Sequence, residues 1–158
     1  MTPALCQRGW PGFASDAQHS CYHLFNPAQH LHWNSAMWPK VIHAHPEEEY
    51  WFREGCHILE VANHPGDPQV SIARARLEPG MTTRWHSLRD TWERYLVIEG
   101  TGIAEIGNLE PARVAPGDVV CIPPDTPQRI RNAGSGELIF YAICSPRFTP
   151  ACYRAHEP

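Results

Sequence analysis

Three polar residues, His86, Glu93 and Gln128, stand inside runs of β-forming residues at 82–88, 93–99 and 128–132. Alternate residues of a strand share a face, so His86 lies with Arg84 and Leu88, Glu93 with Tyr95 and Val97, and Gln128 with Ile130 and Asn132. If those faces line one interior, an imidazole, a carboxylate and an amide carbonyl converge. Such a mixed nitrogen and oxygen set suits Fe²⁺, Mn²⁺, Ni²⁺, Co²⁺ or Zn²⁺, with positions left open for water or substrate. The same side chains could instead satisfy one another by hydrogen bonds and leave a polar, metal-free pocket. Asp90 is a fourth donor if its turn directs it inward. Arg84 is placed to anchor an anion, Tyr95 to orient substrate or pass a proton, and Asn132 to contact substrate.

These residues need a framework of strands. From residue 57 onward, β-rich runs at 57–62, 70–77, 82–88, 93–99, 103–106, 119–122, 128–132 and 138–144 alternate with turn sequences. Pro79-Gly80, Gly100-Thr101-Gly102, Pro116-Gly117-Asp118 and Pro123-Pro124-Asp125 supply the breaks. Strands at such regular spacing predict an all-β sandwich or barrel with little room for helix. The last run, LIFYAIC, is apolar on both faces, which predicts burial between the barrel and a second sheet or a partner subunit.

The segment from Pro79 to Gly102 places Gly80, His86, Leu88, Glu93 and Gly100 at the spacing of the first cupin motif, G-x5-H-x-H-x3/4-E-x6-G, with leucine at the second histidine. Gly117, Pro123, Asp125, Gln128 and Asn132 resemble the second motif, G-x5-P-x-G-x2-H-x3-N, with aspartate at the glycine and glutamine at the histidine. The chain thus resembles the cupin superfamily, and within it a small group labelled mannose-6-phosphate isomerase-like or sugar-phosphate isomerase-like. The resemblance implies a double-stranded β-helix, jelly-roll-like, and a divalent metal held by His86, Glu93 and Gln128. It also implies a homodimer. Two functions follow as alternatives: a metal-dependent isomerase or dioxygenase acting on a small oxygen-rich substrate, or a non-catalytic module that binds a sugar or small organic acid.

The domain expected is 37–158, with a barrel core at about 57–145 and an irregular extension at 1–36 that lacks periodic apolar positions. Seventeen acidic against 13 basic residues, without a basic block, argue against nucleic acid as partner. No apolar run is long enough to span a membrane and the first 30 residues lack a leader pattern, so a cytoplasmic protein is expected. The six cysteines include no C-x-x-C pair and read as reduced thiols, with Cys121 and Cys144 buried and inert. Arg74 and Arg76 share a face, either toward the pocket as an anion clamp or toward solvent. His43 and His45 read as part of a solvated segment, and Trp85 and Trp92 as packing residues.

Overall fold

The computed structural model describes residues 40–156. The expected extension at 1–36 and the expected domain start at Met37 lie outside them. Among the described residues the chain forms eleven strands: β1 (Tyr50–Phe52), β2 (Cys56–Ala62), β3 (Ser71–Leu77), β4 (His86–Leu88), β5 (Trp92–Glu99), β6 (Gly102–Ile106), β7 (Ala112–Val114), β8 (Val119–Ile122), β9 (Gln128–Asn132), β10 (Leu138–Ser145) and β11 (Tyr153–Ala155). The helical content among these residues is one 3-10 turn, Pro46–Glu48. None of their helices is long and apolar enough to cross a membrane.

The strands make two antiparallel sheets. One has the order β1-β2-β3-β10-β5-β8 and the other β11-β4-β9-β6-β7. The alternation read from the sequence decides what lies between them: Leu77, Val97, Ile122, Ile130, Leu138 and Phe140 turn inward and are almost completely buried. Apolar burial on this scale is the main force holding the sheets face to face. Gly100 closes the turn between β5 and β6 with φ +78, and a Cβ there would meet the carbonyl oxygen of Glu137 at 2.2 Å. No other residue type fits that approach.

The strand runs expected at 119–122 and 128–132 coincide with β8 and β9. The run expected at 82–88 is strand at His86–Leu88 and an isolated bridge at Thr82. Its middle leaves the ladder because Thr83 Oγ1 accepts from the Ile130 N–H at 2.9 Å, while the Arg84 N–H donates to the Glu54 carbonyl at 2.7 Å. The sheets reach beyond 57–145 at both ends, through β1 and β11. In β10, Leu138, Phe140 and Cys144 are buried inward, and the outward Ile139, Tyr141 and Ile143 are half-buried.

Candidate functional site

Sheet register brings the first two site residues together. His86 on β4 and Gln128 on β9 are directly opposed partners, so both point to the same side of their sheet. Glu93 on β5 faces them from the other sheet: the Gln128 side-chain amide donates a hydrogen bond to its carboxylate. All three are buried, His86 and Gln128 to 1% exposure. The convergence expected from strand alternation is therefore what the barrel produces.

A fourth residue, Glu54, was not foreseen. It sits at the tip of the β1–β2 hairpin, a three-residue connection in which Gly55 takes φ +97 and returns its N–H to the Phe52 carbonyl at 3.0 Å. This is the geometry of a hairpin that closes with glycine in the left-handed region. It folds the Glu54 carboxylate inward, to 3.3 Å from His86 Nε2. The sequence signal was the Glu-Gly pair just before the apolar run of β2, a turn signature outside the region where the motif lies.

The protons of this group can be placed. His86 Nδ1 lies 2.8 Å from the Arg84 carbonyl, which can only accept, so Nδ1 carries the hydrogen and Nε2 of the neutral ring presents a lone pair toward Glu54. Burial lowers the His86 pKa and keeps the ring neutral, against the pull of Glu93 and the Arg84 carbonyl. Burial pushes Glu54 up to about 8. At neutral pH its carboxylic acid can donate to His86 Nε2. Burial also raises Glu93, to about 7, where the His86 charge, the Gln128 amide and the Cys144 thiol favour its anion and Glu54 opposes it. The Cys144 Sγ is 3.8 Å from Glu93 Oε1. Tyr153 stacks on the His86 ring at 5.3 Å and 15°, fixing its plane.

Glu54, Glu93 and Tyr95 line one pocket, walled by Tyr50, Phe52 and Phe148 and floored by the small side chains of Ala73, Ala75 and Ala142. Tyr95 packs on Phe140 with centroids 4.4 Å apart, and burial holds its hydroxyl protonated well above the usual range. Arg84 is exposed and does not line the pocket; its backbone, not its guanidinium, serves the site. Asn132 is buried away from it, its amide donating to the Leu77 and Gly136 carbonyls and its oxygen accepting from Gly134. Asp90 has an 87% exposed side chain. Arg74 and Arg76 lie on the outer face, paired with Glu49. His45, exposed, pairs with Glu47 in the solvated lead-in. Cys121 is exposed, a correction to its expected burial: Val120 and Ile122 take the inward positions of β8 and leave the residue between them outward.

The three side chains expected to hold a divalent ion are each engaged by protein partners. Among the described residues no three His, Cys, Asp or Glu side chains are grouped to hold a metal. His86 is committed to Glu54, Glu93 to Gln128, and Leu88 brings an apolar side chain into the cluster with Cys144, Cys152 and Tyr153. Gln128 Oε1 remains buried without a hydrogen-bond partner. Such an orphan acceptor is costly and rare in native proteins.

Comparison with known proteins agrees with this architecture. The cupin domain model matches residues 73–144. The uncharacterized protein MJ1618 of Methanocaldococcus jannaschii is 33% identical over 103 residues, which cover 63% of this chain and 81% of that protein. An uncharacterized protein of Klebsiella pneumoniae with a double-stranded β-helix domain superposes with TM-score 0.62 at 18% identity, over 76% of this chain and 100% of that one. A nucleoside dehydratase from Streptomyces superposes with TM-score 0.61 at 18% identity, over 75% and 92%. The two opposed sheets, the motif glycines at their turns and these matches together identify the chain as a member of the cupin superfamily.

Proposed function

We propose that this protein is an enzyme that transfers protons on a small polar substrate, as in an isomerisation or a dehydration, with Glu93 as base and Glu54 as acid. The observation that carries the reading is the pairing of two carboxyl groups on one pocket, Glu93 buried and Glu54 half-buried, each given a different partner: Glu54 faces the lone pair of a neutral His86, and Glu93 accepts from Gln128 and Cys144. Environments that push two carboxyl groups to different proton affinities near neutrality are how one site holds an acid and a base together. Glu93, partly ionised, removes a proton and Glu54, protonated, delivers one to the leaving or receiving oxygen; exchange with water then takes the proton from Glu93 and returns one to Glu54, whose acid hydrogen is oriented by the His86 Nε2 lone pair. Gln128, buried behind the pocket, holds the Glu93 carboxylate by its side-chain amide. Tyr95 packs and shapes the wall. A fold neighbour that is a nucleoside dehydratase is compatible with proton chemistry in such a barrel, although fold alone does not fix reaction.

Placing two such carboxyl groups on one pocket is destabilising unless something is gained, and proton transfer uses both. The test is deuterium wash-in, followed by NMR, for a panel of small hydroxy-carbonyl and amino compounds in D2O. Wild type should label or eliminate at least one compound, and Glu54→Gln and Glu93→Gln should each slow it by about 100-fold or more. Unchanged rates in both variants, or a bound compound that never exchanges, would return the protein to the binding class. For the assembly, we propose an isologous homodimer through the outward Ile139, Tyr141 and Ile143 of β10. Sedimentation should give twice the chain mass; a monomer at micromolar concentration would exclude it.

A further inference from the structure

Charge on the pocket wall carries an inference about the substrate itself, one that rests on the pocket being the site proposed above. Three carboxylates line it, Glu54 and Glu93 within and Glu60 at the rim. Tyr50 and Asn63 hold Glu60 there by donating to its two oxygens at 3.5 and 3.4 Å. Among the described lining residues there is no lysine, arginine or histidine. Two arginines approach the rim and are held by its residues: Arg147 donates to Asn63 Oδ1 at 2.8 Å, and Arg53 lies 5.8 Å from the Phe52 ring centroid and 4.4 Å from that of Tyr153. A phosphate or carboxylate ligand requires a cluster of cationic donors, and here it would meet carboxylates.

The rest of the wall has the complementary character. The rings of Tyr50, Phe52 and Phe148 stand edge to face, with Phe52 6.4 Å from each of the other two. Beneath them the alanines of β3 and β10 leave space for an apolar body. Aromatic faces beside carboxylates attract a positive charge, by the ring quadrupole and by ion pairing in a desolvated site. The Arg53 guanidinium over Phe52 and Tyr153 shows a cation already seated on the outer part of this aromatic cluster.

We infer that the pocket takes a small organic amine in its protonated form, with the ammonium directed to Glu93 and to Glu60 at the rim and an apolar body against the aromatic wall. On this inference the pocket prefers an amine to the sugar phosphate of the isomerase-like resemblance and to the small organic acid of the binding-module alternative.

Three probes matched in shape separate charge from fit: benzylamine, benzyl alcohol and benzoate, measured by calorimetry on the full chain near neutral pH and low salt. Benzylamine should bind about tenfold more tightly than benzyl alcohol, and benzoate should not bind. Glu60→Gln, at the exposed rim, should weaken benzylamine severalfold and leave benzyl alcohol unchanged. Equal affinity for amine and alcohol, a preference for benzoate, or failure of all three to bind at about 10 mM would overturn the inference. Charge preference is read without turnover, so its failure is distinct from failure of the acid–base reading: loss of amine preference with Glu54- and Glu93-dependent exchange intact refutes only the substrate class.

Discussion

The two faces of the six-stranded sheet treat glutamate in opposite ways. On the outer face, Glu49 meets Arg76 at 2.6 Å and Arg74 at 3.1 Å, and the Arg76 hydrogen bond is the largest of the influences that hold its carboxyl below the ordinary range. Glu137 adds a further partner to Arg76 at 2.6 Å. On the inner face, Glu54 and Glu93 have no guanidinium beside them, and burial drives both upward, to about 8 and about 7. Strand β3 shows the division within seven residues, with Arg74 and Arg76 outward and Ser71, Ala73, Ala75 and Leu77 inward. The outer carboxylate is built to stay ionised and hold the sheet together. The inner ones are kept near the point where they exchange protons, and that costs stability which a purely structural role would have no reason to retain.

The contrast has a sign that can be measured. A carboxyl whose folded pKa is raised contributes stability that is complete below its unfolded value near 4.5 and is lost as pH rises toward the folded value. Glu49, lowered, contributes stability that is present above 4.5 and is lost as pH falls. His86, lowered from 6.5, acts in the same sense as Glu49, so the interval from 6.5 to about 8 isolates the inner carboxylates. In urea titrations across that interval, wild type should lose stability with rising pH, at about 1.4 kcal/mol per pH unit for each full proton released. Glu54→Gln should flatten that slope by up to one proton's worth, and Glu49→Gln should leave it unchanged. A slope unchanged by Glu54→Gln would mean that the inner face is no different from the outer.

The second way to break the comparison is to remove the outer carboxylate. Glu49→Gln strips charge-assisted hydrogen bonds from two half-buried arginines and should cost about 1–3 kcal/mol, read as a lower urea midpoint, without altering the pocket's proton affinities. A smaller effect is expected at the hairpin that delivers Glu54. Gly55→Ala forces a side chain into φ +97 and to 3.3 Å from the Thr82 carbonyl. It should cost about 1 kcal/mol, and because the strain falls at the turn it should impair proton transfer more than stability. Loss of stability with undiminished exchange would show that Glu54 does not need this hairpin geometry.

Much of the barrel could be read from the chain because its signals are local. Turn residues and period-2 runs mark β2, β3, β5, β6, β8, β9 and β10 within a residue at either end. The strands that escaped, β1, β7 and β11, are three residues each, too short to show a period. Site residues divide in the same way. His86, Glu93 and Gln128 were legible because regular strands fix their faces. Arg84 was read onto the His86 face on the assumption that the strand continues, yet Thr83 and the Glu54 carbonyl draw that stretch out of the ladder. Glu54 and Tyr153 reach His86 from hairpin tip and edge strand, contacts that depend on how distant segments pack rather than on any local period. The metal expectation came from a donor count over His86, Glu93 and Gln128, to which the structure adds the partners of each: Glu54 beside His86, and Gln128 donating to Glu93.

The most direct measurement is the titration of the two inner carboxyl groups themselves, by carbon-13 detection of glutamate side chains, with Glu54→Gln and Glu93→Gln as assignments. Two resonances should titrate far above the rest, with midpoints near 8 for Glu54 and near 7 for Glu93. Each should vanish in its own variant, and removal of Glu54 should lower the midpoint of Glu93, since the two carboxylates repel. If both groups instead titrate near the ordinary 4.5, the pocket holds two permanent anions at neutral pH and the acid–base account is wrong.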